Sequence, residues 1–261
     1  VLPRLHLVEL HDLAICPPLL RKTLTELLEK ATRWTRIFDV TLPLLERLLE
    51  ASGDERVLDL CSGGGGPWRD LAPRLRARGR AVQVTLSDLY PDRERLGQHA
   101  AESEGALAVA AGPVDATRVP PELTGVRTLF SSFHHFPPPL AREILADAAG
   151  RGVPIGVFEG NVRSVGFCLV FLVSIVPTVL VWMPLLRPLS LTRLFWTYAI
   201  PLYPLVMLWD GVVSNLRAYS PDDLEALTAG IGAEGYAWEV GRLRGRPWLP
   251  PVTYVIGYPR A

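Results

Sequence analysis

This sequence predicts an α/β fold built on a mostly parallel sheet with helices on both faces, and three observations carry that reading. Short β-branched and aliphatic runs alternate with helix-like stretches from Val57 to Phe158. The first of these runs empties directly into four consecutive glycines, Gly63 to Gly66. The chain then closes on a helix and two further strand-like runs joined by a Gly/Pro-bearing loop, the pattern of an antiparallel hairpin.

The elements follow in order. Leu19 to Lys30 and Leu42 to Ala51 repeat leucine every three or four residues between charges, and Ser52-Gly53 supplies a stop, so residues 1–53 read as a helical cap. Val57 to Leu60 is the first strand, and the segment after Pro67 is helical to Arg78. Ala81 to Leu86 is the second strand, ending in Ser87-Asp88, and Ala106 to Val114 holds the third, followed by Asp115-Ala116. Val126 to Ser131 is the fourth, Leu140 to Ala149 a helix, and Val153 to Phe158 the fifth strand, ending in Glu159-Gly160. Ser220-Pro221-Asp222-Asp223 is an N-cap with proline in the first turn, Gly230 stops that helix, and Tyr236 to Leu243 and Val252 to Tyr258 are the closing strands.

Composition removes several function classes. With 27 basic and 27 acidic residues and a pI near 7.1, the chain carries no overall basic footprint for nucleic acid. Cys16, Cys61 and Cys168 are too few and too dispersed for a disulfide framework or a cysteine metal cluster, which fits a reducing compartment. Charges between Arg4 and Asp12 interrupt any signal-peptide core. All but two of the basic residues are arginine, the exceptions being Lys22 and Lys30, which reads as genomic bias.

A strand that turns through glycines into a helix N-terminus brings backbone N–H groups close to a ligand. The dinucleotide fingerprint needs a small residue at its third glycine position. Counted from Gly63 and Gly65, that position holds Trp68, so a nicotinamide or flavin dinucleotide is disfavoured. An acid at the tip of the second strand, Asp88, is instead suited to a ribose diol, with Asp92 as its fallback.

Asp59, Cys61, Ser62, Gly63 and Gly65 resemble motif I of the class I S-adenosylmethionine-dependent methyltransferases, with cysteine at position 61 where that family more often has glycine. The resemblance covers about 54–160 and 214–261. It implies a Rossmann-like, seven-stranded, mostly parallel sheet with a terminal antiparallel hairpin, and S-adenosylmethionine as cofactor. It places Asp88 at the motif II position, Asp115 with Ala116 at the adenine, and Ser131 beside the methionine part. It also implies that the N-terminal cap covers an acceptor pocket; Glu9, His11 and Asp12 either belong to that cap or solvate a surface turn. His134 and His135 match a recurring pair that packs beneath the site or handles a proton. Glu159 either orients an acceptor or caps the next helix. These three are the catalytic candidates.

Residues 162–213 interrupt this domain. Val165 to Leu186 carries no charge, and Leu194 to Trp209 is uncharged and rich in aromatics. About 20 apolar residues suffice to cross a bilayer. Strands on both sides belong to one sheet, however, so the chain must return to the side it left. Arg187 and Arg193 in the link oppose transport across, and Pro177, Pro184, Pro188, Pro201 and Pro204 oppose a straight span. The expectation is a kinked helical hairpin in one leaflet, on the inner face of the cell membrane of a cytoplasmic protein, or else a buried lid or dimer contact.

The expected function is methyl transfer to a hydrophobic or lipid-like small molecule. The alternative is a catalytically silent or cyclase-like S-adenosylmethionine-binding protein anchored by the hairpin. No Asn/Asp-Pro-Pro-aromatic sequence follows the fourth strand, which argues against nucleobase or glutamine amide acceptors. No acidic cluster points to a metal, so neither a metal nor a nucleic-acid partner is expected.

Overall fold

The computed structural model of the chain describes residues 2–13, 15–232 and 235–260. Seven strands form one sheet: β1 (Arg56–Asp59), β2 (Gln83–Leu86), β3 (Leu107–Val109), β4 (Val126–Phe130), β5 (Ile155–Glu159), β6 (Tyr236–Leu243) and β7 (Val252–Pro259). Their order is β3-β2-β1-β4-β5-β7-β6. β1 to β5 run parallel, and β7 is antiparallel to both β5 and β6. The order reverses between β1 and β4, and ligands of open α/β sheets bind beyond the strand ends at such a reversal.

Helices cover both faces because β1, β4 and β5 are buried almost throughout and must be roofed on each side. One core packs α2 (Leu42–Ser52), α3 (Trp68–Ala77) and α4 (Arg93–Ala101) on the sheet through Leu45, Leu48, Trp68, Leu75 and Leu96. The other packs α5 (Pro138–Gly150) and α9 (Pro221–Thr228) through Ile144, Leu145 and Leu224. Gly53 ends α2 at φ +64°, as its sequence position predicts. The third strand is shorter than the run at 106–114, because after Val109 the chain leaves the sheet for the loop that carries Asp115.

The N-terminal region holds α1 (Pro18–Thr35), and the apolar segment holds α6 (Val165–Trp182), α7 (Leu191–Leu194), a π turn at Phe195–Ala199 and α8 (Leu202–Arg217). α6 and α8 form the hairpin, and α8 runs straight through the 213/214 boundary expected from the sequence. Leu20, Leu24 and Leu27 of α1 pack against Val179, Met183, Tyr203 and Met207 in a third core, so one face of the hairpin rests on the protein itself. Pro177 lies inside α6 rather than ending it; nearby, the Thr178 hydroxyl donates to the Ser174 carbonyl at 2.8 Å. Arg193 also departs from expectation. It is buried and paired with Glu26 at 2.9 Å, so its charge is matched within the protein and does not argue against apolar surroundings. Val165 to Leu185 is long and apolar enough to cross a bilayer, with little of it buried, whereas the segment 191–217 is bent by 73°.

Candidate active site

The glycine turn and the acids meet at the carboxyl ends of β1 to β3. Asp59 closes β1 and is buried, accepting from Ser62 Oγ at 2.7 Å and Thr128 Oγ1 at 2.7 Å. Ser62 and Ser87 continue the network: Ser62 N–H donates to the Ser87 carbonyl (2.9 Å) and Ser87 Oγ to the Asp59 carbonyl (2.8 Å). Burial pushes the Asp59 pKa up to about 6, against the opposing hydrogen bonds from Ser62 and Thr128. Asp59 thus braces the turn from beneath.

Asp88 lies half-exposed at the end of β2. One oxygen accepts from Gly63 N–H at 2.9 Å and the other from Tyr90 N–H at 2.8 Å, while its carbonyl takes Val114 N–H at 2.9 Å. That last bond ties the Asp115 loop to the tip of β2. Asp115 is exposed and accepts from the Thr117 backbone and hydroxyl; Ala116 beside it is buried. Asp92, the fallback, is committed elsewhere: it caps α4 by accepting from Arg95 N–H. Cys61 sits among the acids. Burial, then the negative charges of Asp88, Asp59 and Asp115, push its thiol pKa upward.

The glycines divide their work. Gly63 is exposed at φ +52° with open space where a Cβ would stand. A Cβ on Gly65 would come within 2.6 Å of His99 Nδ1, and one on Gly64 within 2.8 Å of Thr25 Cγ2, so these two let α4 and α1 close over the turn. Cys61 and Ser131 both take left-handed backbone, φ +55° and +45°. Non-glycine residues hold such angles at a cost, and they gather where a site is shaped. Ser131 N–H donates to the Phe158 carbonyl (2.9 Å) and its hydroxyl accepts from Gly160 N–H (3.2 Å), locking the ends of β4 and β5 together.

A second polar cluster lies just beyond those ends. His134 is buried with Nδ1 2.7 Å from Glu159 Oε2, and Glu159 Oε1 accepts from Phe133 N–H at 2.7 Å. Burial raises the Glu159 pKa, but the charge and hydrogen bond of His134 and the Phe133 N–H outweigh it and leave the group below its ordinary value. Glu159 therefore orients His134 and does not cap α6, whose N-cap is Ser164. His135 is partly exposed, its Nδ1 3.0 Å from Asp12 Oδ2, and its ring centroid lies 4.3 Å from that of His134.

The N-terminal strap crosses this cluster. Arg4 donates to the carbonyls of His134, Phe136 and Arg217, and its guanidinium lies 4.1 Å from the Tyr219 ring centroid. Glu9 is wholly buried and pairs with Arg217 at 3.0 Å; Asp12 pairs with the same guanidinium at 3.2 Å. His11 Nδ1 lies 2.8 Å from Asp210 Oδ2. Burial raises the Glu9 pKa above its ordinary value despite the opposing positive charges around it. Burial also raises that of Asp12, but His135, His11 and Arg217 prevail and hold it well below the carboxylate range. Glu9 is thus not a solvated turn residue, whereas Asp12 stays exposed while pairing with His135 and Arg217.

Sequence reasoning missed Asp210 and Arg217 on α8. A signal was present: Asp210 is the one acid of a helix that carries no other charge before Arg217, and a buried charge requires a partner.

The fold has known counterparts. The chain superposes on the O-methyltransferase NcsB1 from neocarzinostatin biosynthesis, solved with S-adenosylmethionine and 2-hydroxy-5-methyl naphthoic acid, at TM-score 0.54 and 18% identity, covering 93% of this chain and 58% of that one. It superposes on the pyocyanin biosynthetic protein PhzM at 0.52 and 16% identity (95% and 60% covered), and on TnmH at 0.51 and 19% (95% and 60%). The chain thus spans about three fifths of the length of these three. No family model matches the sequence, and no curated protein does. The fold is that of the class I S-adenosylmethionine-dependent methyltransferases.

Proposed function

We propose that the protein is an S-adenosylmethionine-dependent methyltransferase acting on a hydrophobic small molecule at a membrane surface. The observation that carries this reading is the placement of Asp59, Asp88 and Asp115 at or just beyond the carboxyl ends of β1, β2 and β3, with the exposed Gly63 N–H donating to Asp88 and the Asp115 loop tied to the Asp88 carbonyl through Val114 N–H. That donor set fits a nucleoside. Asp88 supplies a carboxylate for the ribose diol, Asp115 and Ala116 flank the adenine, and Ser131 stands at the methionine end. Gly63 lets the backbone approach without a side chain in the way, and Asp59 keeps the turn in shape through Ser62.

S-adenosylmethionine supplies a methyl group on a sulfonium, ready for in-line displacement. The protein's part is to hold the acceptor in line and to keep water out. His135 is the partly exposed member of the second cluster and touches the acceptor in this reading. His134 and Glu159, both buried, position it. The strap from Arg4 to Asp12 crosses this cluster and, in this reading, keeps water from the acceptor. Membrane contact is supported by the outward face of the hairpin, where Leu169, Val173, Val181 and Phe195 are exposed, since apolar surface of this kind normally finds a partner. Aromatic residues at the bend suit a headgroup zone on the cytoplasmic face.

The test incubates the full chain with S-adenosylmethionine and fractions of a total lipid extract, following S-adenosylhomocysteine. Production that depends on one apolar fraction, with a methylated product in it, supports the proposal. Cofactor binding with no turnover on any fraction favours the silent or cyclase-like alternative.

A further inference from the structure

We propose that Glu9, His11 and His135 form a binding site for one divalent first-row transition-metal ion. One donor atom from each residue lies within 4.8 Å of the other two. Glu9 is 0% exposed; its Oε1 is taken by Arg217, while Oε2 has no hydrogen-bond partner among the described residues and lies 3.7 Å from the His11 ring and 3.9 Å from His135 Nε2. A buried carboxylate oxygen left without a partner is costly, so a polar or cationic group belongs at that point.

The surroundings support a cation. Asp12 reaches His135 Nδ1 at 3.0 Å, which puts the ring proton there and turns the lone pair of Nε2 toward Glu9. Asp210 accepts from His11 Nδ1 at 2.8 Å, which leaves Nε2, 3.5 Å from Asp12 Oδ1, as the nitrogen that offers His11's lone pair to the ion. Carboxylates behind imidazoles in this way orient metal-binding histidines and raise their basicity. The charges agree as well. Among the described residues Glu9 and Asp12 share one permanent side-chain cation, Arg217, and Asp210 takes the Leu10 and His11 N–H groups and the His11 ring, while Glu159 is engaged by His134 and Arg4 by backbone carbonyls. With neutral imidazoles the cluster has two negative charges in excess, which one dication balances.

Two imidazoles and one carboxylate suit a borderline ion of the Zn²⁺ or Fe²⁺ class better than Mg²⁺ or Ca²⁺, and three protein donors leave positions open. On the methyltransferase reading above, an oxygen of the acceptor takes one of those positions, which makes the acceptor an oxygen nucleophile. The binding itself does not rest on that reading.

The experiment titrates Zn²⁺ into chelator-treated full-length protein, with Co²⁺ absorption as a second readout. One equivalent is expected to bind, with Co²⁺ bands of a nitrogen and oxygen environment and no thiolate charge-transfer band. Glu9→Gln, His11→Asn and His135→Asn each weaken Zn²⁺ by at least about 100-fold. Asp12→Asn, which removes the charge behind His135 and beside Arg217 but no donor to the ion, weakens it by about 10–100-fold. Cys168→Ser leaves it unchanged. Circular dichroism accompanies each variant; should Glu9→Gln fail to fold, the more exposed His11 and His135 variants decide. No binding by the wild type, a thiolate band, or equal binding by His11→Asn and His135→Asn overturns the proposal. S-adenosylmethionine affinity measured on the same samples reports separately on the cofactor half.

Discussion

Asp59 carries a measurable signature of the site. Its native pKa, near 6, lies above the ordinary carboxylate value, so between about pH 4 and 6 the folded protein binds more protons than the unfolded one. This residue therefore contributes stability at low pH that is lost as pH rises through 6, on the order of 3 kcal/mol in all. Other carboxylates, such as Asp223 and Glu159, are held low and act in the opposite sense. The check is the difference between wild type and Asp59→Asn in urea unfolding across pH 4 to 7. Asp59→Asn should gain on the wild type as pH rises, with the gain complete above pH 6. At Asp115 the expectation concerns binding: Asp115→Ala should weaken S-adenosylmethionine by about tenfold, as loss of a charge-assisted hydrogen bond on an exposed loop does, read by calorimetry. Trp68, wholly buried edge-on to Phe130 at 5.8 Å, tests the packing beneath the turn. Trp68→Ala should cost about 3–5 kcal/mol in denaturant unfolding.

At the scale of elements, the sheet was legible because its signals are local. Val57 to Leu60 before the glycines, Gly53 and Gly230 as stops, and Ser220 with Asp223 as a cap each declare themselves within a few residues, and the structure has a full capping box at Ser220. Ser220→Ala should cost about 1 kcal/mol, seen as a lower urea midpoint with unchanged slope. The second cluster was half legible. His134, His135 and Glu159 follow strands β4 and β5 and could be found by position. Glu9 and Arg217 are more than two hundred residues apart, and nothing local to either announces their ion pair. The hairpin hid the rest. Its apolar composition drew attention to its surface, while α8 also carries Asp210 and Arg217 inward to the site. Only the docking of α8 beside the strap makes those charges meet.

For the whole molecule, α1 is the keel that joins the two halves. Its Leu20, Leu24 and Leu27 seat the hairpin, its Thr25 touches the glycine turn, and its Glu26 bridges Arg193 of the hairpin and Arg95 of α4. Removing the hairpin would uncover the third core, so membrane contact is better tested on its outward face. Leu169→Glu with Val173→Glu should abolish flotation with anionic liposomes while cofactor affinity stays the same; flotation equal to wild type would remove the membrane from the account. The central claim is that a sulfonium nucleoside lies across the tips of β1, β2 and β3. Calorimetric titration of S-adenosylmethionine into the full chain and its Asp88→Ala variant tests it most directly. The account predicts one site on the wild type, weakened by about 10–100-fold in the variant as a charge-assisted bond is lost. A wild type that binds nothing, or a variant that binds as well, would contradict it.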